Sequence, residues 1–509
     1  MPLLNSIVGW FNIKRLHQIG LFKQYPFHVQ QEHLFKLICK ARDTEWGKKF
    51  RFDKIQTVED FQNNVPLQTY EDIKPYVNRL RNGEQNLLWP GEIKWFAKSS
   101  GTTNDKSKFI PVSKDALEDC HFRGGKDIMA LYTDLHPNTK IFTGKGLTLG
   151  GSHQIDNFSN QSLYGDLSAI LIENLPWWVD FIRTPKVEIA LLDKWEEKLD
   201  KITETTIHEN VTNIAGVPSW NLVLIKHILN ITGKSGLHEV WPNLELFTHG
   251  GVSFTPYKEQ FKHIIPSGKM NYMEAYNASE GFFAIQDDPL KDDMLLMLDY
   301  GIFYEFIPMD QFHQASPDVL TIDKIETGKN YAIVITTNAG LWRYVIGDTV
   351  VFTSTFPHKI KISGRTKHYI NAFGEEVIID NAEKALQIAC EKTNASIREF
   401  TAGPIFMGDH SNGAHEWLIE FEREPDELGY FTSLLDNALC SLNSDYEAKR
   451  YKNITLRLPV VRKIKPNVFY TWMKEKGKLG GQNKVPRLSN DRKYIDEIMA
   501  LNGFANDSV

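Results

Sequence analysis

The stretch "WFAKSSGTTNDKSKFIPVS", residues 95–113, sets four hydroxyl side chains, Ser99, Ser100, Thr102 and Thr103, around Gly101, with Lys106 and Lys108 just downstream. Hydroxyl donors, a glycine that lets backbone N–H groups approach an oxygen-rich ligand, and nearby ammonium charge suit a phosphate-sized anion. The pattern is not the Walker form GxxxxGK[ST], because no second glycine precedes the lysine. A solvated Ser/Thr turn has the same composition.

Five later segments carry compatible chemistry. "THGGVSF" (248–254) puts Gly250 and Gly251 just after an expected strand, where bare backbone could border a flat ring; a tight turn is the alternative. In "EAYNASEGFFAIQ" (274–286), Tyr276 could stack on a base, Asn277 and Ser279 could contact base or phosphate, and Glu280 could hold a divalent cation. An exposed strand-to-loop edge would read the same. "LWRYVIGDTVVF" (342–353) places Gly347-Asp348 between two strands, and a carboxylate at a strand end can accept hydrogen bonds from a ribose diol. A hairpin turn competes there. "SGRTKHYINAFGEEV" (363–377) carries Arg365, and "GGQNKVPR" (480–487) a glycine-flanked Lys484.

Other motifs are weaker. "GKGLTLGGS" (144–152) spaces its glycines wrongly for GxGxxG, and His410 and His415 lack the i, i+4 spacing of a helical metal pair. No GxSxG nucleophile elbow occurs. "PWWVDFI" (176–182) reads as core or pocket wall. Phe122, Tyr132, Tyr164, Trp177 and Trp178 could line an apolar pocket, or simply fill the core.

Elements must bring these segments together. Helical spacing dominates to about residue 90, with Leu34, Leu37, Ile38 and Ala41 on one stripe and a Thr start signal before "YEDIKPYVNRL". From about 140 to 350, helices such as "SWNLVLIKHILNITG" alternate with strands such as "LELFTHGG", "MLLMLD", "GIFYEFIP" and "NYAIVITTN". Such alternation implies an α/β fold with a mixed or parallel sheet. Beyond Gly364–Arg365 the pattern becomes a compact α+β unit, with "IDNAEKALQIACEKTN" helical and "EFTAGPIFMG", "AHEWLIEFE", "ITLRLPVVR" and "NVFYTWMKE" as strands. The expected domains are therefore 1–363 and 364–509.

Bulk properties exclude other classes. A length of 509 residues, 42% apolar and 24% charged, describes a soluble globular chain of more than one core. The net charge of −6 argues against nucleic-acid partners and a polybasic membrane surface. Cys39, Cys120, Cys390 and Cys440 show no CxxC spacing, the usage of a reducing compartment. The start, "MPLLNSIVGWFNIKRLHQ", reads as a first helix, and no apolar run approaches the ~20 residues that span a bilayer. A cytoplasmic monomer is expected.

In this order, the six segments resemble the motif series of the adenylate-forming superfamily. Within it the chain is most similar to the Gretchen Hagen family of auxin-responsive acyl-acid amido synthetases. "VPLQTYEDIKPYVNRLRNGEQNLLWPGEIKWFAKSSGTT" resembles that family's N-terminal signature, "YNASE" its Tyr-Ala-Ser-Ser-Glu motif and "LWRYVIGD" its Leu-Tyr-Arg-Tyr-Arg-Val-Gly-Asp. The chain departs at Asn104-Asp105, where the family has small residues, at Trp342 for tyrosine, and at Val345 for a second arginine. The resemblance implies a large N-terminal adenylate-forming domain that binds ATP and the acyl substrate, and a smaller mobile α+β domain. Ser99, Ser100, Gly101, Thr102 and Thr103 would cradle ATP's phosphates, with Lys108 nearby. Gly250, Gly251, Tyr276, Asn277, Ala278 and Ser279 would surround adenine. Glu280 would bind Mg2+, Asp348 the ribose hydroxyls, Arg365 ribose or phosphate, and Lys484 would swing in with the C-terminal domain. The implied activity converts a carboxylic acid to an acyl-adenylate and passes the acyl group to an amine, an amino acid being the expected acceptor. An acyl-CoA ligase shares the first step, and a degenerate nucleotide-binding protein could retain the motifs.

Overall fold

The computed structural model describes residues 2–100, 107–151, 162–192, 194–252, 254, 257–265, 268, 270–312, 314–365, 369–408, 411–453, 455–476 and 485–503. Local sequence explains its helices. Leu34, Leu37, Ile38 and Ala41 lie buried along one face of the helix Pro26–Ala41. Thr69 opens the helix Tyr70–Arg81, its N–H donating 2.7 Å to the Asp72 carboxylate. The helix Pro218–Thr232 stops at Gly233, whose φ of 64° is left-handed.

The N-terminal strands begin with a hairpin, β1 (Trp95–Ser100) and β2 (Ser107–Val112). There follow β3 (Lys145–Thr148), β4 (Leu163–Gly165), β5 (Arg183–Thr184), β6 (Val211–Gly216) and β7 (Leu246–His249). Next come β8 (Asn271–Ala278), β9 (Gly281–Ile285), β10 (Met294–Leu296) and β11 (Ile302–Pro308). The series ends with β12 (Asn330–Thr337), β13 (Tyr344–Thr355) and β14 (His358–Arg365). Eleven of these form one sheet in the order β11-β12-β13-β14-β10-β9-β8-β7-β6-β3-β5. Strands β8, β7, β6, β3 and β5 run parallel, and β8 through β14 pair antiparallel. The chain is thus a mixed α/β protein with a large N-terminal domain.

The sheet curls. Strands β8 and β13 stand four places apart, which would be ~19 Å across a flat sheet, yet the Tyr276 hydroxyl on β8 donates 2.6 Å to Asp348 Oδ2 on β13. Strand β10 pairs with β14 only at Lys359 and Ile360, leaving the far end of the β13–β14 ribbon free to fold over β8. Register shifts at Tyr276/Asn277 and Thr349/Val350 lie beside both partners, and bulges of this kind bend and twist strands. Gly347 and Gly364, with φ of 100° and 150°, supply the backbone freedom. The Gly347-Asp348 pair therefore sits inside one twelve-residue strand, and neither joins two strands nor makes a hairpin turn.

The smaller C-terminal domain carries β15 (Tyr369–Ile370), β16 (Val377–Ile378), β17 (Ser396–Ile405), β18 (Ala414–Arg423) and β19 (Val460–Lys463). Helices Ile379–Thr393 and Leu428–Leu442 pack beside them. The Tyr257 hydroxyl donates 2.7 Å to Ala372 O, joining this domain to the larger one.

Two expectations fail here. "NVFYTWMKE" forms a helix, Val468–Glu475, because Val468, Phe469, Trp472 and Met473 bury a helical stripe against the helix Lys493–Asn502. Strand propensity yields to that partner. "PWWVDFI" is neither core nor pocket wall: Trp177 is 77% and Phe181 69% exposed on a short 3₁₀ turn. Among the described residues, no helix is long and apolar enough to cross a membrane.

A buried ion pair pins the N-terminal helices to this sheet. Arg343 pairs with the fully buried Glu305 at 3.0 Å and donates to Gln62 O and Val65 O at 2.8 and 2.7 Å. Its own backbone, at φ 44°, bonds Gln68. Arg343→Met leaves Glu305 without its counter-ion, held only by Gln62 Nε2 at 2.8 Å, and two carbonyls unpaired, so the urea midpoint should fall by the equivalent of about 3–5 kcal/mol. A loss under about 1 kcal/mol would assign the pair no anchoring role.

Candidate active site

The strand ends and the curled ribbon enclose one cleft of about 2020 Å³, bounded on its other side by the C-terminal domain through Tyr369, Asn371, Gly374, Glu376, Asp445 and Lys449. Ser99, Lys108, Gly250, Gly251, Tyr276, Asn277, Ala278, Ser279, Glu280 and Asp348 all line it. Segments as far apart in sequence as Ser99 and Lys449 thus share one hollow.

Each is placed for a local reason. Ser99 and Lys108 face each other across the β1–β2 hairpin. Lys108 is buried with its ammonium 5.8 Å from the Tyr70 ring, and the Tyr70 hydroxyl accepts from the Phe109 N–H at 2.9 Å. Gly250 lies so close to β8 that a Cβ would stand 2.2 Å from Ala275 O; no other residue fits that position. Gly251 follows with φ 80°.

Ala278 pairs with Gly281, so Ser279 and Glu280 form the two-residue tip of the β8–β9 hairpin. That tip projects Glu280 into the cleft. Burial pushes its carboxyl up to about 7, Lys108 opposes the shift, and Asp348 adds to it. Asn277 is held from behind by His121, at 3.1 Å between Nδ1 and Oδ1. Burial drives the His121 pKa down to about 4, so the ring is neutral near pH 7 and its Nδ1–H donates to Asn277.

Asp348 is buried beneath the Tyr276 hydroxyl and lies opposite Arg365 in the β13–β14 register. Gly101, Thr102, Thr103, Lys106 and Lys484 lie outside the described residues, as do the side chains of Ser100 and Arg365.

The cleft also contains residues that sequence reasoning missed. Lys198, 1% exposed, donates to Gly150 O at 2.6 Å and Gly151 O at 3.1 Å. The "GKGLTLGGS" glycines therefore shape a strand-end turn at the cleft, a role that the dinucleotide template could not test. The Lys449 ammonium sits 4.1 Å from the Trp220 ring centroid. Burial lowers the Lys449 pKa and raises Asp445 to about 7. Neither residue stands in a glycine-rich or hydroxyl-rich motif, so no local signal marked them.

None of the five aromatics expected near an apolar pocket lines the cleft. Tyr132 is core, Phe122 and Tyr164 are half-buried, and Trp177 and Trp178 face outward. Apolar walls come instead from Ile128, Leu149, Leu167, Ala275, Phe282 and Met294. His415 bonds Glu375 at 2.8 Å in the core. Among the described residues, no group of three or more His, Cys, Asp or Glu side chains could by itself hold a metal ion.

Known proteins of the same build share this arrangement of chain. The chain is 24% identical to 4-substituted benzoates-glutamate ligase GH3.12 of Arabidopsis thaliana, over 92% of this chain and 94% of that protein. It is also 24% identical to jasmonoyl--L-amino acid synthetase GH3.5 of Oryza sativa subsp. japonica, over 93% of this chain and 94% of the relative. Among solved structures, the GH3.15 acyl acid amido synthetase superposes with a TM-score of 0.58 at 18% identity, covering 93% of each chain. A 2-hydroxyisobutyryl-CoA ligase superposes at 0.57 with 13% identity, over 94% of this chain and 91% of that one, which shows a common fold. The models of the GH3 family N-terminal, central and C-terminal domains match residues 15–270, 295–365 and 380–493, and the chain belongs to that family.

Proposed function

We propose that this chain is an ATP-dependent acyl-acid amido synthetase, which activates a carboxylic acid as its acyl-adenylate and then transfers the acyl group to an amine, an amino acid by preference. The convergence of Ser99, Lys108, Gly250, Gly251, Tyr276, Ser279, Glu280 and Asp348 on one cleft carries this reading. Relatives named for joining benzoates to glutamate or jasmonate to amino acids support the substrate classes.

A carboxylate is a poor electrophile because its leaving group would be oxide. Attack of its oxygen on the α-phosphorus of ATP forms an O–P bond and expels pyrophosphate. An uncharged amine then attacks the acyl carbonyl and expels AMP. The protein's task is to position the groups and neutralise charge.

Ser99 and Ser100, with Gly101, Thr102 and Thr103, hold phosphate oxygens, and Lys108 offsets their charge. Gly250, Gly251, Tyr276, Asn277, Ala278 and Ser279 border the base, Asp348 accepts from the ribose hydroxyls, and Arg365 reaches ribose or phosphate. Glu280 suits Mg2+: it is a single half-buried carboxyl beside the phosphate site whose ionisation burial disfavours, so a cation shared with phosphate oxygens would relieve it. When bound, Mg2+ neutralises charge that develops on the phosphates. Residues 364–509 form a mobile lid that brings in Lys484 and excludes water from the mixed anhydride. Free cysteines at all four positions suit a reducing cytoplasm, and the enzyme acts as a monomer.

Three outcomes are expected. Purified protein with Mg-ATP, offered carboxylic acids crossed with amino acids, should yield amides and AMP by mass spectrometry. Thioester with coenzyme A and no amide would make it an acyl-CoA ligase, and pyrophosphate exchange absent with every acid would make it inert. Asp348→Ala should weaken ATP binding by about 1–3 kcal/mol while the fold persists; unchanged affinity would remove Asp348 from the site. The third outcome concerns Glu280. The stability of its neutral form is fully present below the ordinary value of 4.5 and is lost as pH rises through about 7. Ligand-free Glu280→Gln should therefore gain on the wild type as pH rises from 5 to 8, by about 2 kcal/mol, while losing Mg2+-dependent turnover. Parallel stability curves would show that Glu280 ionises freely.

A further inference from the structure

Amide formation needs a second substrate, and one wall of the cleft carries none of the nucleotide motifs. The helix Ser444–Arg450 of the C-terminal domain places Asp445 and Lys449 one turn apart, and both line the cleft. Just beyond the helix end, Lys452 pairs with Glu196 of the larger domain at 2.6 Å, which holds this wall in place.

An aspartate and a lysine so spaced usually close on each other. These two do not: neither makes a hydrogen bond or ion pair with a described residue. The Lys449 stem runs past Gly374, where a Cβ would stand 3.3 Å from its Cε, and its ammonium lies over the Trp220 ring at 4.1 Å. Carboxyl and ammonium therefore stay apart on one helical face.

The surroundings bear both signs. Asp445 faces Lys449 on its own helix, Glu376 on the loop before β16, Asp166 at the start of the helix Leu167–Glu173, and Lys98 on β1. Lys449 faces Asp445, Asp166 and Glu376, and also Glu375, whose carboxyl already bonds His415 and the Phe373 N–H at 2.8 and 2.7 Å. Lys98 directly precedes Ser99, so this wall adjoins the phosphate hairpin. A metal ion would meet lysines here, and a simple anion would meet carboxylates. A zwitterion finds a partner for each of its charges.

We infer that Asp445 and Lys449 select an α-amino acid as the acceptor, Asp445 taking its ammonium and Lys449 its carboxylate. This rests on the synthetase reading above. The ammonium must shed a proton to become a nucleophile, and the Asp445 carboxylate receives it. The freed electron pair bonds the acyl carbon, the carbon–oxygen bond to AMP breaks with its electrons on AMP, and the nitrogen gives a second proton to solvent. Burial pushes Asp445 up to about 7 and Lys449 opposes that shift, so the carboxyl can take a proton near neutral pH. A plain amine would leave Lys449 without its partner, the situation in which built polar sites discriminate most.

The test compares kcat/KM for alanine and ethylamine, using the full chain, Mg-ATP and the acid that gives the fastest pyrophosphate exchange. The wild type should prefer alanine by about 10- to 100-fold. Lys449→Met keeps an apolar stem over Trp220 and removes a charge that burial disfavours, so the fold should persist. Its preference should fall about tenfold or more, through the KM for alanine. Asp445→Asn should lower kcat with alanine by about 100-fold. It should lose far less with hydroxylamine, which is uncharged near pH 7 and needs no base before it attacks. An unchanged preference in Lys449→Met, or equal losses with alanine and hydroxylamine in Asp445→Asn, would overturn the acceptor site alone. A wild type that exchanges no pyrophosphate with any acid would overturn this inference and the synthetase reading together.

Discussion

The site depends on curvature of the large sheet. A flat sheet would leave Tyr276 and Asp348 on strands ~19 Å apart, with no common hollow. The 2.6 Å bond between them exists because β10 is short, because bulges sit beside both residues, and because Gly347 and Gly364 adopt φ values that other residues resist. Curvature also explains why the β8–β9 hairpin tip, which carries Glu280, points into the cleft and not into solvent. The buried Arg343–Glu305 pair lies at the start of β13, so the anchor of the N-terminal helices and the arm that bears Asp348 belong to one strand system.

Burial perturbs the titratable groups in and behind that cavity. Burial raises Glu280, Asp445 and Glu274 and keeps His121 and His249 neutral. Groups perturbed by burial cluster at functional sites because the same low dielectric that penalises them strengthens their pairing with a ligand. The stability that this burial costs is available as binding energy to a charged ligand. Lys108 has a related part: it is buried on the wall beside Tyr70, and its field reaches Glu280. The cleft therefore holds a buried cation and a half-buried carboxyl that feel each other's field.

Much of this was legible locally. Thr69 and Gly233 mark helix ends through capping chemistry that needs no distant partner. The glycine pair after β7 and the Tyr276–Glu280 segment were legible because their residue types are unusual for plain strand ends. What sequence missed depended on distant partners. "NVFYTWMKE" has strand composition but folds as a helix because the helix Lys493–Asn502 offers a surface for its stripe. Gly347-Asp348 has turn composition but sits in a strand because the ribbon must bend there. Trp177 and Phe181 have core composition and lie outside. Lys198 looked like any surface lysine until the fold supplied the Gly150 and Gly151 carbonyls.

The two cleft carboxyls on β8 and its hairpin tip sit in different electrostatic surroundings. Glu280 sits at the tip, where Lys108 opposes the effect of burial and Asp348 adds to it. Glu274 sits six residues earlier, flanked by a neutral imidazole and with its backbone fixed by Gln286. Burial and the neighbouring Asp292 disfavour its charge there, and Lys361 opposes them. Tyr276 lies between the two, its hydroxyl bonded to Asp348 at 2.6 Å, so the curled ribbon ties the middle of β8 and its hairpin tip into one cleft.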